Sequence, residues 1–184
     1  NIVKDNVVCN AFSDGYTIFG TGMATPIREF ARNEVYGSAN GFTPWYTGPY
    51  ERSPGQVIPP SVVADLRAWH IGENVTYGYP TDTLEYLRPV FRGSIPPYTV
   101  TTGLYYGDYL TRAGTTTNPN IQGRDYGIAV PHLVGSGVSD PGIFKITGGY
   151  LDNPVNIAVA IPTVVGNTGN MPPRRTEIRD VAFG

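Results

Sequence analysis

The chain has 184 residues, of which 40% are hydrophobic and 15% are charged, and its formal net charge is −2. This length and apolar content fit one folded domain with a real core, while the sparse, balanced charge argues against a nucleic-acid partner held by bulk electrostatics. The single cysteine, Cys9, excludes an intrachain disulfide framework. The best apolar run, residues 155–165, has about half the length of a membrane span, so we expect no membrane insertion.

The N-terminal third is predicted to contain short extended segments and one helix. Residues 6–9 and 16–19 have strand-forming sequences, and Asp14-Gly15 between them is a turn signal. Residues 25–34 are the best helix candidate, because Pro26 suits a first helical position and apolar residues recur on one face. The 23 glycines and 17 prolines leave little room for longer helices.

Residues 36–60 form a long stretch rich in aromatic residues and proline, which is predicted to be irregular. A solvated linker would not carry so many rings, so we expect this stretch to lie over a protein surface. Trp45, Tyr46 and Tyr50 are the candidate contact residues, because tyrosine and tryptophan are enriched at interfaces.

The rest of the chain is dominated by strand signals. The clearest segments are rich in β-branched and aromatic residues and lie at residues 82–92, 98–112, 126–130, 142–147 and 155–161. No internal repeat of fixed period is visible. Short strands separated by turn signals predict an all-β, antiparallel sandwich, most simply an eight-stranded jelly roll with long loops. The whole chain, residues 1–184, is predicted to be one such domain.

The C-terminal residues 163–184 are predicted to be an extended arm, because glycine and proline interrupt them repeatedly. Arg174, Arg175 and Arg179 form a small basic cluster there. Acidic neighbours neutralise this cluster, so a subunit contact is favoured over nucleic-acid binding. The chain uses eleven arginines and two lysines, and arginine is the cation that interfaces favour.

No catalytic centre is recognisable in the sequence. The two histidines, His70 and His132, are far apart and lack a third ligand at metal-site spacing. Phosphate-binding glycine loops and nucleophile motifs are missing as well. We therefore expect no catalytic residues, no cofactor and no metal. Paired carboxylates of a glycoside hydrolase stay open, since their separation is spatial rather than sequential.

One region resembles a known family. Residues 82–95 (DTLEYLRPVFRGSI) are similar to the middle strands of picorna-like virus capsid proteins, and Ile71-Gly72-Glu73 resembles a segment that precedes those strands. Residues 128–132 (IAVPH) resemble a strand end of the same barrels. The resemblance implies a jelly roll, a proteolytically cut precursor, long surface loops and an arm that lies on neighbouring subunits.

Three functions follow as hypotheses. The first is a structural subunit of an icosahedral virus or phage particle, located in the virion, whose partners are other copies of itself and other capsid chains. The second is a carbohydrate-binding β-sandwich that uses Trp45, Tyr46 and Tyr50 as a stacking platform. The third is a hydrolase on a β-scaffold, which requires two carboxylates in a cleft.

Overall fold

Each strand of the chain pairs in parallel with a strand one coil further along, so the backbone winds into a β-solenoid. In the computed structural model, the described residues are 2–19, 26–47, 59–81, 83–95, 100–107, 111, 113–131, 142–160 and 175–184. They contain 21 strands in three seven-stranded sheets, here named A, B and C. Every strand pair among these residues is parallel.

The three sheets take their strands in rotation along the chain. Sheet A consists of β1 (Ile2–Lys4), β4 (Glu29–Ala31), β7 (Ser61–Ala64), β11 (Thr83–Leu87), β14 (Ala113–Thr117), β17 (Phe144–Thr147) and β20 (Thr176–Arg179). Sheet B consists of β2 (Val7–Cys9), β5 (Glu34–Tyr36), β8 (Arg67–Ile71), β12 (Val90–Ser94), β15 (Asn120–Gln122), β18 (Tyr150–Asp152) and β21 (Ala182–Phe183). Sheet C consists of β3 (Asp14–Phe19), β6 (Asn40–Thr47), β9 (Asn74–Tyr77), β10 (Tyr79–Thr81), β13 (Thr102–Tyr105), β16 (Tyr126–Pro131) and β19 (Val155–Ala160).

The corner between sheets A and B has the same length in every coil. Each A strand is separated from its B strand by two residues, and the first of them has a left-handed backbone. These first residues are Asp5, Arg32, Asp65, Arg88, Asn118, Gly148 and Asp180. The N–H of each of the first six donates to a carbonyl of the next coil, so the corners stack in register along the solenoid.

The core lies between the three sheets and consists mainly of inward side chains, of which most strands contribute one or two. In sheet A the inward column runs from Val3 through Phe30 and Val63 to Tyr86 and beyond. The rings of Phe30 and Phe42 pack with centroids 4.4 Å apart, which joins sheet A to sheet C. Burial of these aromatic and aliphatic columns supplies the main stabilisation of the fold.

The predicted antiparallel jelly-roll sandwich is therefore wrong, although the all-β class is right. Alternation along a strand shows which side chains face the core, but it does not identify the strand that pairs with it. Residues 82–95, which resemble capsid strands, form β11 and β12 in two different parallel sheets. The resemblance to jelly-roll virus capsid proteins is not supported, and neither are the sandwich architecture and capsid assignment drawn from it.

Two local predictions are also corrected. Residues 25–34 do not form a helix, because Glu29–Ala31 and Glu34–Tyr36 are strands joined by the left-handed Arg32. The stretch 36–60 is not irregular throughout, because Asn40–Thr47 is the longest strand of sheet C. At the other end of the chain, β20 and β21 pair with β17 and β18, which places Thr176–Phe183 in the last coil.

Candidate functional site

The outer face of sheet C carries aromatic side chains from successive coils. Phe19 and Trp45 pair in register and their rings lie 5.7 Å apart. Tyr77 and Tyr105, which lie one and two coils beyond Trp45, also pair in register, and their ring centroids are 5.3 Å apart. Because side chains alternate along a strand, these pairs project from the same side of the sheet.

The side chains that face outward at the register position of Tyr105 form a column along sheet C. Beyond Tyr105 this outward column changes from aromatic to small residues. Tyr105 pairs in register with Ala129, and Ala129 pairs with Ala158. The loss of two large side chains leaves a groove of about 330 Å³ on the outer face. It is lined by Asn74, Val100, Thr102, Tyr105, Tyr126, Ala129 and Ala158, none of which carries a charge at neutral pH.

Glycines inside the corner between sheets B and C set the position of the groove wall. Thr102 and Tyr126 are each followed by a glycine that faces the interior at the turn into sheet C. A Cβ on Gly103 would lie 2.5 Å from the carbonyl oxygen of Gly127, closer than such atoms approach. Glycine at this position therefore lets consecutive coils stack closely and brings Thr102 and Tyr126 side by side.

Asp125 fixes the same corner from the adjoining turn. Its Oδ2 accepts hydrogen bonds from the backbone N–H of Thr101 at 2.7 Å and from the Thr101 hydroxyl at 2.8 Å. These bonds tie the residue before Thr102 to the residue before Tyr126. They engage Oδ2 of the carboxylate, which makes Asp125 a positioning group for the groove.

A buried cation lies beneath this corner. The guanidinium of Arg124 donates to the carbonyl oxygens of Gly93 at 2.8 Å and Thr102 at 3.3 Å, and also to those of Ile71 and Glu73. Burial lowers the pKa of Arg124 to about 10, so the side chain stays charged at neutral pH. The carbonyl dipoles solvate this charge in place of water.

The predicted contact residues are distributed over different parts of the solenoid. Trp45 lies on the outer face of sheet C, the face that carries the groove. Tyr46 belongs to β6, but its side chain is outside the described part of the structure, as are Tyr50 and Arg174.

The other two predicted residues lie together in the last coil. Arg175 and Arg179 both pair with Glu177, at 2.7 and 3.4 Å. They therefore lie on sheet A rather than beside Trp45.

The histidines give no support for a metal or nucleophile site. His70 is the fourth residue of β8, where its backbone is left-handed, and His132 is outside the described residues. Across the described ranges no three His, Cys, Asp or Glu side chains converge to hold a metal. No helix in that part of the chain has the length and apolar character to span a membrane.

Residues of the groove were missed because their proximity depends on the coil register. A sequence signal for this register exists in the four-residue segments that open six of the seven sheet C strands, all except β10. These segments are DGYT (14–17), NGFT (40–43), NVTY (74–77), TGLY (102–105), YGIA (126–129) and VNIA (155–158). Four of the six have glycine second, and all have an inward residue third, which aligns Tyr105 with Ala129.

Comparisons of the chain with protein family models, with curated proteins and with solved structures find no match. The chemistry of the groove and of the charged surfaces therefore carries the functional assignment.

Proposed function

We propose that the chain binds a neutral glycan in the groove on the outer face of sheet C. The observation that carries this proposal is the change from Tyr105 to Ala129 and Ala158 in one outward column, with Tyr126 alongside. Aromatic rings at the edge of a shallow, solvent-open groove are suited to stack on the C–H faces of sugar rings.

The dimensions of the groove fit a chain-like ligand that crosses the strands. Neighbouring strands lie about 4.8 Å apart, so the distance from β13 to β19 is about 10 Å. A short segment of an oligosaccharide fits this length, while a single small molecule would leave part of the groove filled with water.

The polar side chains at the groove supply the specificity that stacking alone lacks. The amide of Asn74 and the hydroxyls of Thr102 and Tyr126 can donate to and accept from sugar hydroxyls. Because none of the described residues that line the groove is charged, a uronic acid or a sulfate ester would gain no ion pair with them on losing water. This composition favours neutral sugars.

Affinity gel electrophoresis against a panel of soluble polysaccharides tests the proposal. The panel contains neutral polymers (β-glucan, xylan, galactomannan) and acidic ones (polygalacturonate, alginate). We expect at least one neutral polymer to retard the protein, and Tyr126→Ala to abolish the retardation. Tyr150→Ala is the matched control, because Tyr150 also opens its strand and is half-buried, but lies on sheet B. Retardation by none of the polymers, or equal loss in both variants, contradicts the proposal.

We propose binding without catalysis. Asp125, which directly precedes Tyr126 of the groove, is engaged by Thr101 through two hydrogen bonds, so it is poorly suited to act as an acid or a nucleophile. Release of reducing ends from the retarding polymer would instead favour the hydrolase hypothesis. The expected result is no release above a protein-free control.

A second candidate is assembly through subunit contacts. Four large apolar residues of the first coil, Ile2, Val7, Phe12 and Phe19, are exposed, and exposed apolar surface favours contact with further polypeptide. The hypothesis of a structural subunit in a virus or phage particle remains a prediction, now without the support of a jelly-roll fold. Light scattering tests it: a concentration-independent monomer contradicts assembly.

A further inference from the structure

The corner between sheets A and B carries alternating charges on its outer surface. Asp5, Arg32, Asp65 and Arg88 occupy the same left-handed position in four consecutive coils. Arg32 donates from Nε and Nη2 to the two carboxylate oxygens of Asp5, at 2.6 and 2.7 Å. Arg88 binds Asp65 in the same two-bond geometry, at 2.7 and 2.8 Å.

A cavity of about 420 Å³ lies beside this column and extends onto the outer face of sheet B. It is lined by Arg32, Glu34, Asp65, Arg67, Arg88 and Val90. Arg67 pairs in register with Glu34 on one side and with Val90 on the other. The guanidinium groups of Arg32, Arg67 and Arg88 therefore reach the cavity from three successive coils.

The donors of these three arginines exceed the acceptors that surround them. A guanidinium has five N–H donors, and the carboxylate bonds of Arg32 and Arg88 leave Nη1 out in both residues. Arg67 approaches Glu34 only to 3.6 Å, which is beyond hydrogen-bond distance. Asp5, Glu34 and Asp65 balance the charge of the three arginines, so the excess at the cavity lies in N–H donors rather than in net charge.

We propose that this cavity binds a tetrahedral oxyanion, sulfate or phosphate, either free or as an ester on a larger molecule. A tetrahedral anion presents oxygens in several directions and can meet donors that arrive from three coils. A planar carboxylate presents two oxygens in one plane and suits a single arginine fork. Val90 forms an apolar part of the wall, where the carbon of an ester can lie.

This site is separate from the neutral groove. None of the residues that line the cavity belongs to sheet C, and the groove residues with strand positions all belong to it. Loss of one activity therefore does not imply loss of the other, and the proposal does not depend on glycan binding.

Titration of the protein with sodium sulfate, followed by backbone amide NMR at constant ionic strength set by sodium chloride, tests the proposal. We expect saturable shifts at Glu34, Arg67 and Val90. Arg67→Gln should weaken sulfate binding by about fivefold or more, the upper range for an exposed charge contact. Arg175→Gln is the matched control, since Arg175 is also exposed and pairs with a sheet A glutamate. It should bind sulfate as the unaltered protein does.

Further arms of the experiment separate the ligand classes. Sodium phosphate should compete with sulfate, whereas sodium acetate should bind more weakly. Dextran sulfate should bind more tightly than inorganic sulfate if the anion is carried by a polymer, and equally per sulfate group if it is free. Shifts that rise without saturation, acetate binding as tight as sulfate binding, or equal weakening by Arg67→Gln and Arg175→Gln would each overturn the proposal.

Discussion

The guanidinium Nη1 of Arg124 donates to the carbonyl oxygen of Gly93, 31 residues earlier in the chain, at 2.8 Å. The same side chain reaches the carbonyls of Ile71 and Glu73 one coil further away. Three consecutive coils are thus joined at the corner between sheets B and C. This corner carries the residues that begin the groove, so the buried arginine supports both the fold and the site.

Replacement of Arg124 by methionine should destabilise the protein by about 2–4 kcal/mol, because several buried carbonyl groups lose their donor. Methionine keeps much of the side-chain volume, which separates the loss of hydrogen bonds from the creation of a cavity. Urea denaturation followed by circular dichroism measures the change. A loss below about 0.5 kcal/mol, typical of surface substitutions, would contradict this role for Arg124.

Gly103→Ala should destabilise the solenoid more than Gly93→Ala. A Cβ on Gly103 meets the carbonyl oxygen of Gly127 at 2.5 Å and a methyl of Ile121 at 2.8 Å, so the backbone must move, at a cost of about 1–3 kcal/mol. At Gly93 the nearest atom, on His70, is 3.6 Å away and the cost comes from the left-handed backbone, about 1 kcal/mol. Thermal melts of the two variants give the order, and the reverse order would contradict the close approach of coils at Gly103.

Acidification should remove the contribution of the corner ion pairs. The hydrogen bonds from Arg88 hold the pKa of Asp65 below its usual range, so the folded state binds this proton less readily than the unfolded chain. The stabilisation is therefore present above the unfolded pKa and is lost as the pH falls below about 4.

The matching variant for this prediction is Asp65→Asn. It should melt lower than the unaltered protein at about pH 7, by a small amount because the pair is largely exposed. The difference should shrink below about pH 4 as Asp65 becomes protonated. If the difference in melting temperature persists unchanged down to about pH 2, the charge of the Asp65 carboxylate does not cause it, and the prediction is contradicted.

The sequence predicts strands well but not their partners. Alternation in residues 155–161 places Val155, Ile157 and Val159 on one face of β19, but of these only Ile157 packs against the core, and Val155 and Val159 are exposed. The solenoid repeat is not apparent in the sequence because the spacing of the corner positions varies from 23 to 33 residues. Variable connections between sheet C and sheet A hide a repeat that is regular at the corner between sheets A and B.

Left-handed corners explain why the helix prediction at residues 25–34 is wrong. Six of the seven corner positions are occupied by aspartate, asparagine or arginine rather than glycine. Aspartate and asparagine tolerate this backbone, but nothing in an isolated arginine indicates it. At Arg32 the two-bond contact with Asp5, 27 residues away, holds the side chain, and such a partner is found only once the coils are stacked.

The residues of the groove likewise cannot be identified from the sequence without the strand register. Trp45, a predicted contact residue, lies on the outer face of sheet C, whereas Tyr105 and Ala129 give no functional signal until their register pairing is known. Small residues carry no functional signal by themselves. Their meaning here comes from the aromatic residues that precede them in the same outward column.

A variant that fills the groove is the sharpest test of glycan binding on sheet C. Ala158 is half-buried in the column below Ala129, so Ala158→Tyr places a ring over the groove floor and extends the outward column of Tyr105. We expect this variant to keep the thermal stability of the unaltered protein and no longer to migrate slowly in gels that contain the retarding neutral polysaccharide. Undiminished retardation of a folded Ala158→Tyr protein would contradict binding in this groove.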